Sequence, residues 1–563
     1  RNEGKNVSLS NYFVAEYFPS VEWRIRARLG ITYGNNDAEV FYSPEDTRFE
    51  DTEALKKGEY TSTNTRLNQT EGELSVTWAK MLGVHRINLV AGGNFNMSKS
   101  LVQGYSAQGF PNGDFTYPSF SNGYPENGIP TFYESVSRSL NGYFNMGYSF
   151  NDRYLMDFSL RSSGSSVFGS SKKYNTTWSV GLGWNLHKEK FIQNNFSWIN
   201  LLKLRVSIGN PGNQNYDSAQ TLLTYAFQYG SMNYFGLGAV LDQVGNSDLK
   251  WQTTLDKNMG IDITLLNKRL NITVDYFHKV TDPLLIRIGM PLSSGTPTYM
   301  TNAGEQTSQG VTATASYYII QNFDKRFSWM VRANLRTQKN RIDKIGDKLS
   351  LLNASGKGAN TVRYYDGADP DDIWAVKSEG IDPANGRERF VKKNGMSTYT
   401  WDANDQVVVG DTEPDAKGSF GINVAWKGIT LNAYFNYQWG GQSYNSTLAE
   451  KVENAQVSTQ NVDKRVLSAR WKNAGDVVPY YDLSKNPTQN PTSRFVQDDN
   501  RLDFTSLSIG YDFSRQLISK WKLKSLSVQF SANDLCKWRS VKEERAINYP
   551  FARSFNFSLN VGF

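Results

Sequence analysis

No stretch of this 563-residue chain approaches the roughly 20 consecutive apolar residues a helix needs to cross a bilayer, which excludes a helical membrane protein. Cysteine is nearly absent: Cys536 is alone and cannot form an internal disulfide. Histidine is almost as scarce. His85, His187 and His278 stand far apart in the sequence, so a His-based metal centre or triad lacks its parts. No catalytic group and no enzyme activity is expected, and no cofactor. Pro- or Ser-rich linkers, heptads and alternating strand and helix patterns are also missing, although 563 residues exceed the usual single-core limit of about 250 to 300. The net charge of +7 would suit nucleic acid. Lys and Arg are dispersed, however, and many sit in short turns such as Asn267-Lys268-Arg269, so no nucleic-acid partner is expected. Gly209-Asn210-Pro211-Gly212-Asn213 lacks the Gly-Lys-Ser/Thr ending of a phosphate-binding loop and reads as a turn.

What the chain does have is alternation. At its end Phe555, Phe557, Leu559, Val561 and Phe563 fall on one face of a strand, and Ser554, Asn556, Ser558, Asn560 and Gly562 on the other. The same period of two runs through Leu526, Val528, Phe530 and Ala532, through Leu507, Ile509, Tyr511 and Phe513, and through Phe420, Ile422, Val424 and Trp426. About 17 such segments reach the roughly 9 to 11 residues of a tilted membrane-spanning strand. Only 39% of residues are apolar, yet 13% are aromatic, as expected for a wide barrel with a polar interior, polar loops and aromatic girdles. The fold class is therefore all-β: a large antiparallel transmembrane β-barrel whose apolar stripes contact the lipid bilayer of a bacterial outer membrane.

Connection length supplies direction, because outer-membrane barrels keep short turns in the periplasm and long loops outside. Short turns are expected near 19–20, 82–83, 151–152, 267–268, 321–325 and 427–428, with a longer one at 187–198 holding a turn of helix. Long extracellular loops are expected at about 35–58, 102–129, 211–248, 344–412 and 446–498. An odd strand count leaves the first strand, about 7–18, without a partner, and an open edge is not viable in lipid. The reading is that residues 1–563 form the C-terminal portion of a larger barrel.

Several stretches resemble SusC/RagA-type TonB-dependent transporters of the Bacteroidetes outer membrane. They include RYLMDFSLRSSGSSVFG (153–169), LKLRVSIGNPGNQNY (202–216), the long stretch at 246–285 and NAGEQTSQGVTATASYY (302–318). Further on come SEGIDPANGRERFVKKNG (378–395), GDTEPDAKGSFGINVAWKG (410–428), RWKNAGDV (470–477) and YPFARSFNFSLNVGF (549–563). The resemblance implies a 22-stranded barrel around an N-terminal plug, a SusD-like surface lipoprotein as lid, and coupling to TonB through a part of the protein that this chain does not show. It implies import of an oligomeric nutrient, glycan or peptide. A passive porin and, less favoured, an outer-membrane barrel enzyme are the alternatives.

Within that frame, aromatic residues of the long loops (Phe115, Tyr117, Tyr364, Tyr365, Trp374 and Trp401) are candidates for contact with substrate or lid, or for packing of the loops on themselves. Asp157, Arg161, Arg332 and Arg336, at inward positions of strands, are expected to line the lumen. The acidic runs Asp366, Asp369, Asp371, Asp372 and Asp402, Asn404, Asp405 offer oxygen ligands that suit calcium, without the spacing of an EF-hand; no other metal is expected.

Overall fold

The computed structural model describes residues 2–126, 128–166, 174–213, 223–246, 248–290, 292–295, 298–322, 324–346, 353, 361–455, 457, 462–485, 490–541 and 553–563. Parts of the quoted stretches, 167–169, 214–216, 247 and 549–552, lie outside them. Seventeen long strands follow one another. They are β1 (Asn2–Ser20), β2 (Trp23–Tyr42), β3 (Glu59–Leu82), β4 (His85–Gln108), β5 (Thr131–Phe150), β6 (Tyr154–Ser165), β7 (Tyr174–Asn185), β8 (Ile199–Asn210) and β9 (Gln252–Leu265). Then come β10 (Leu270–Asp282), β11 (Glu305–Asn322), β12 (Phe327–Asp343), β13 (Ala416–Trp426), β14 (Ile429–Trp439), β15 (Arg501–Asp512), β16 (Ser525–Arg539) and β17 (Ser554–Gly562). The chain divides into two compact units, Arg1–Gly181 with Gly209–Thr254 and Leu285–Asn302, and Leu182–Ile208 with Leu255–Leu284 and Ala303–Phe563.

In the first unit β1 to β6 pair in sequence order, each antiparallel to the next. Register carries one apolar row across neighbours: Phe13 lies opposite Leu29, Ile25 opposite Val76, Trp78 opposite Leu89, and Leu89 opposite Met146. In the second unit the ladder β10–β11–β12–β13–β14–β15–β16–β17 does the same. Val331 faces Ile422, Ile422 faces Ala433, Leu431 faces Ile509, Ile509 faces Phe530 and Phe530 faces Phe557. Toward the chain end this face is exposed on the molecular surface, with Phe555, Phe557, Leu559 and Phe563 all more than half accessible, whereas Ala433 is buried. A one-residue slip would turn every such side chain to the other face, so alternation fixes the register.

The tight turns are built from residues that accept positive φ. Lys427 (φ 48°) and Gly428 (φ 96°) connect β13 to β14, and Asn151 (φ 50°) and Asp152 (φ 51°) open the link from β5 to β6. A Cβ on Gly428 would lie 2.5 Å from the Asp512 carbonyl oxygen, so this hairpin also needs the room. The 187–198 link carries the expected turn of helix, Lys190–Asn195. Another short helix, Arg515–Ile518, lies between β15 and β16, where sequence alternation offers no hint.

Several expected boundaries shift. Residues 35–42 and 102–108, read as loop, continue β2 and β4, so the connections shorten to 43–58 and 109–130. β3 and β4 are 24 residues each, well over the roughly 9 to 11 needed to span lipid. Where both faces of a strand are polar, the period of two fades while the backbone ladder continues, as at Asn35↔Arg66 and Asp37↔Asn64. The remaining three long connections run 211–251, 344–415 and 440–500, and each contains structure of its own.

Candidate ligand-facing site

Opposite the apolar row, each unit presents a polar face. In the first, Arg28 pairs with Glu71 at 3.0 Å, Tyr143 donates to Glu73 at 2.7 Å, Asn141 to Asn94 at 2.7 Å and Ser159 to Asn145 at 2.7 Å. Of these residues Arg28, Glu71, Glu73, Asn94 and Asn141 line a cavity of about 350 Å³, together with Arg161. Arg161 spends its Nε–H on Ser163 at 3.0 Å, and Asp157 lies opposite Gly147 on this face. In the second unit Arg205 binds Asp262 and Asp275 at 2.8 and 2.9 Å, and Lys279 binds Asp256 at 3.2 Å. Arg332 and Arg336 continue the polar face on β12, where Arg336 reaches Gln338 and lies over the Phe277 ring at 5.8 Å. The four candidate interior residues thus all stand on the polar side of their strands.

The aromatic candidates separate into two groups, each within its own unit. Phe115 packs edge-on against Phe120 at 4.8 Å in the first unit, and Tyr117 is exposed beside them. Under that loop Phe41, Tyr60, Ala107 and Phe110 form a small buried core. In the second unit the 344–415 and 440–500 connections fold together into one lobe, the outer lobe, named for the loop side expected from the sequence. Strands Asp372–Ile381, Glu388–Val391, Ser397–Thr398 and Gln406–Asp411 make its sheet. Leu448, Ala449, Val452, Val466, Tyr480 and Phe495 make its core, with Ala449 and Val466 fully buried. Trp374 stacks on Tyr365 at 4.8 Å, and Trp401 donates its indole N–H to the Pro491 carbonyl at 3.2 Å, across from one connection to the other. Tyr364 is clamped by its backbone: its N–H donates to the Asn353 side-chain oxygen at 2.9 Å, and its carbonyl accepts from the same amide at 2.8 Å.

Four charged residues that the sequence did not single out hold this lobe. Arg494 donates from Nε and Nη2 to the two oxygens of Glu388, at 2.7 Å each, from Nη2 to Glu453 at 2.8 Å, and from Nη1 to the Pro479 carbonyl at 2.6 Å. Arg470, also buried, caps the carbonyls of Val452, Glu453 and Tyr481. Burial outweighs the attraction of Arg494 and pushes the Glu453 carboxyl up to about 7, while its two carboxylate partners push the Arg494 guanidinium up. Glu388 and Arg470 fall inside GRERF and RWKNAG of the quoted stretches, which was the available signal; Glu453 and Arg494 had none. The turn between Asp382 and Gly386 seats under the Trp471 ring, whose N–H donates to the Pro383 carbonyl at 2.8 Å.

The acidic runs use their oxygens on the protein itself. Asp369 accepts from the N–H groups of Asn340 and Asp371 at 3.2 and 3.0 Å, and Asp371 from the Asn340 amide at 2.7 Å. Burial raises Asp369 to about 6 and also raises Asp372 and Asp411. Among the described residues no group of three or more His, Cys, Asp or Glu side chains is placed to hold a metal ion.

The family model described as TonB dependent receptor-like, beta-barrel matches residues 1–455. The chain belongs to that family. It is 25% identical to TonB-dependent receptor P3 of Formosa agariphila, over 90% of this chain and 53% of the relative. To TonB-dependent receptor SusC of Bacteroides thetaiotaomicron it is 25% identical, over 69% of this chain and 39% of the relative. The chain thus spans about half or less of the length of these curated relatives. A solved structure of the RagAB peptide transporter superimposes with a TM-score of 0.83 at 20% identity, covering 96% of this chain and 59% of that one. The RagAB peptide importer in its open-open state gives 0.84 at 20% identity, over 100% of this chain and 62% of that one. The fold is therefore that of a TonB-dependent receptor β-barrel, and the location is the outer membrane.

Proposed function

We propose that this chain is the C-terminal part of the wall of a TonB-energised importer, which carries an oligomeric nutrient, glycan or peptide, across the outer membrane. The apolar row of each unit contacts lipid, the polar face lines the lumen, and the plug and further strands belong to the rest of the protein. A SusD-like lipoprotein closes over the outer lobe and traps cargo against it. The observation that carries this reading is the outer lobe: a loop pair with its own sheet, apolar core and buried ion pairs is far more ordered than a surface connection requires, and order at a mouth serves recognition. The RagAB peptide transporter, whose fold this chain shares, supports the peptide side of that substrate class. The chain's part is binding and passage, not bond chemistry.

The test is uptake of labelled oligopeptide and oligosaccharide pools by cells with and without the full-length receptor gene, each with and without TonB. Loss of uptake of one pool on deleting either gene is expected. Uptake that needs the receptor but survives loss of TonB would establish the passive porin instead.

A further inference from the structure

The outer lobe contains a buried cation without a counter-charge. Arg363 is only 5% exposed. Its Nε–H donates to the Gln406 side-chain oxygen at 2.8 Å and its Nη1–H to the Asn353 carbonyl at 2.7 Å. Both acceptors are neutral, and among the described residues no carboxylate forms an ion pair with it. Among the described residues the carboxylates that follow it in sequence have other partners: Asp366 accepts from the Ile345 N–H at 2.9 Å, Asp369 and Asp371 bind Asn340, and Asp372 accepts from the Asp369 N–H at 3.3 Å. A guanidinium taken from water and held only by neutral partners is disfavoured, and an anion reaching its free N–H donors would offset that cost.

The surroundings are arranged for such an anion. The Asn353 bonds that clamp Tyr364 also fix the backbone next to Arg363, and Asn353 and Gln406 hold two edges of the guanidinium, which makes no other side-chain hydrogen bond among the described residues. Gln406 lies opposite Val376 and Val408 opposite Trp374, so Gln406 and Trp374 share one face of the lobe sheet. The Trp374 indole N–H is buried and has no acceptor, and its ring stacks on Tyr365. One face therefore carries a planar cation, a second donor without a partner and an aromatic platform.

We propose that Arg363, with Trp374 and Tyr365 beside it, forms a carboxylate-recognition subsite of the outer lobe. The carboxylate is that of a peptide, terminal or side-chain, or that of a uronic-acid oligomer, and the guanidinium fork takes its two oxygens while the aromatic pair covers the adjoining residue. This rests on the import reading and narrows its cargo to acidic oligomers.

The experiment is calorimetric titration of the purified full-length receptor with two matched pairs of probes: trialanine against its C-terminal amide, and trigalacturonate against its methyl ester. Within one pair the free acid binds at least tenfold tighter, and that pair identifies the source of the carboxylate. Arg363→Gln abolishes the preference, and Arg363→Lys keeps part of it. Without probe the Arg363→Gln protein melts at or above the wild-type temperature, because a lone buried charge is gone. Wild type binding the neutral probes without preferring either acid would overturn the subsite and leave the import reading standing. Arg363→Gln retaining the preference, Arg363→Gln unfolding the lobe, or no probe binding at all would also overturn the subsite; the import reading is judged separately by TonB-dependent uptake.

Discussion

Leu559 and Asn560 are chain neighbours on opposite faces of β17, with Val528 and Ser527 as their respective partners. A lysine at Leu559 would enter hydrocarbon and is expected to destabilise the folded barrel by about 2–4 kcal/mol, while Asn560→Lys stays within about 1 kcal/mol. Urea titration of both variants of the full-length protein in lipid checks the pair, and equal costs would reverse the faces. Glu453 gives a second prediction at this scale. Its carboxyl is raised from 4.5 to about 7, so the folded lobe prefers it protonated. The associated stability is complete below pH 4.5 and is lost as pH rises through about 7, amounting to roughly 3 kcal/mol at most. Asp369, raised to about 6, acts in the same sense. Protease resistance of the lobe is therefore expected to be higher at pH 5.5 than at pH 8.5, and Glu453→Gln should flatten the difference. A lobe more resistant at pH 8.5 would contradict the assignment.

At the scale of elements, the strands were legible and the lobe was not. Alternation in β13 to β17 exposes their faces directly, because a single solvent contrast acts along each whole strand. The ends of β2 to β4 were misread because that contrast fades where both faces are polar. The lobe depends on contacts such as Glu388 with Arg494, 106 residues apart, and no local pattern announces a pairing at that distance. Of the candidate aromatics, Tyr365, Trp374 and Trp401 do come together in the lobe, but through a sheet and an apolar core that their composition alone did not reveal. Arg494 is the natural place to break this element. Arg494→Gln leaves Glu388 and Glu453 buried without their cation and is expected to cost about 3–5 kcal/mol of lobe stability, with Arg494→Lys recovering part. Limited proteolysis in the 440–500 connection reads this, while the strand ladder should keep its far-ultraviolet spectrum. Unaltered cleavage would show that the ion pairs are dispensable.

For the molecule as a whole, one physical arrangement underlies fold, location and proposed function: strand registers that gather apolar side chains on one face and polar side chains on the other. Family membership and the barrel fold agree with it. The most direct test places single fluorescent labels at each position from Ser554 to Asn560 in the full-length receptor, with Cys536 replaced by Ser, and measures quenching by brominated lipid. Labels at positions 555, 557 and 559 should be quenched and those at 554, 556, 558 and 560 should not. Quenching that fails to alternate, or that favours the even positions, would contradict the account.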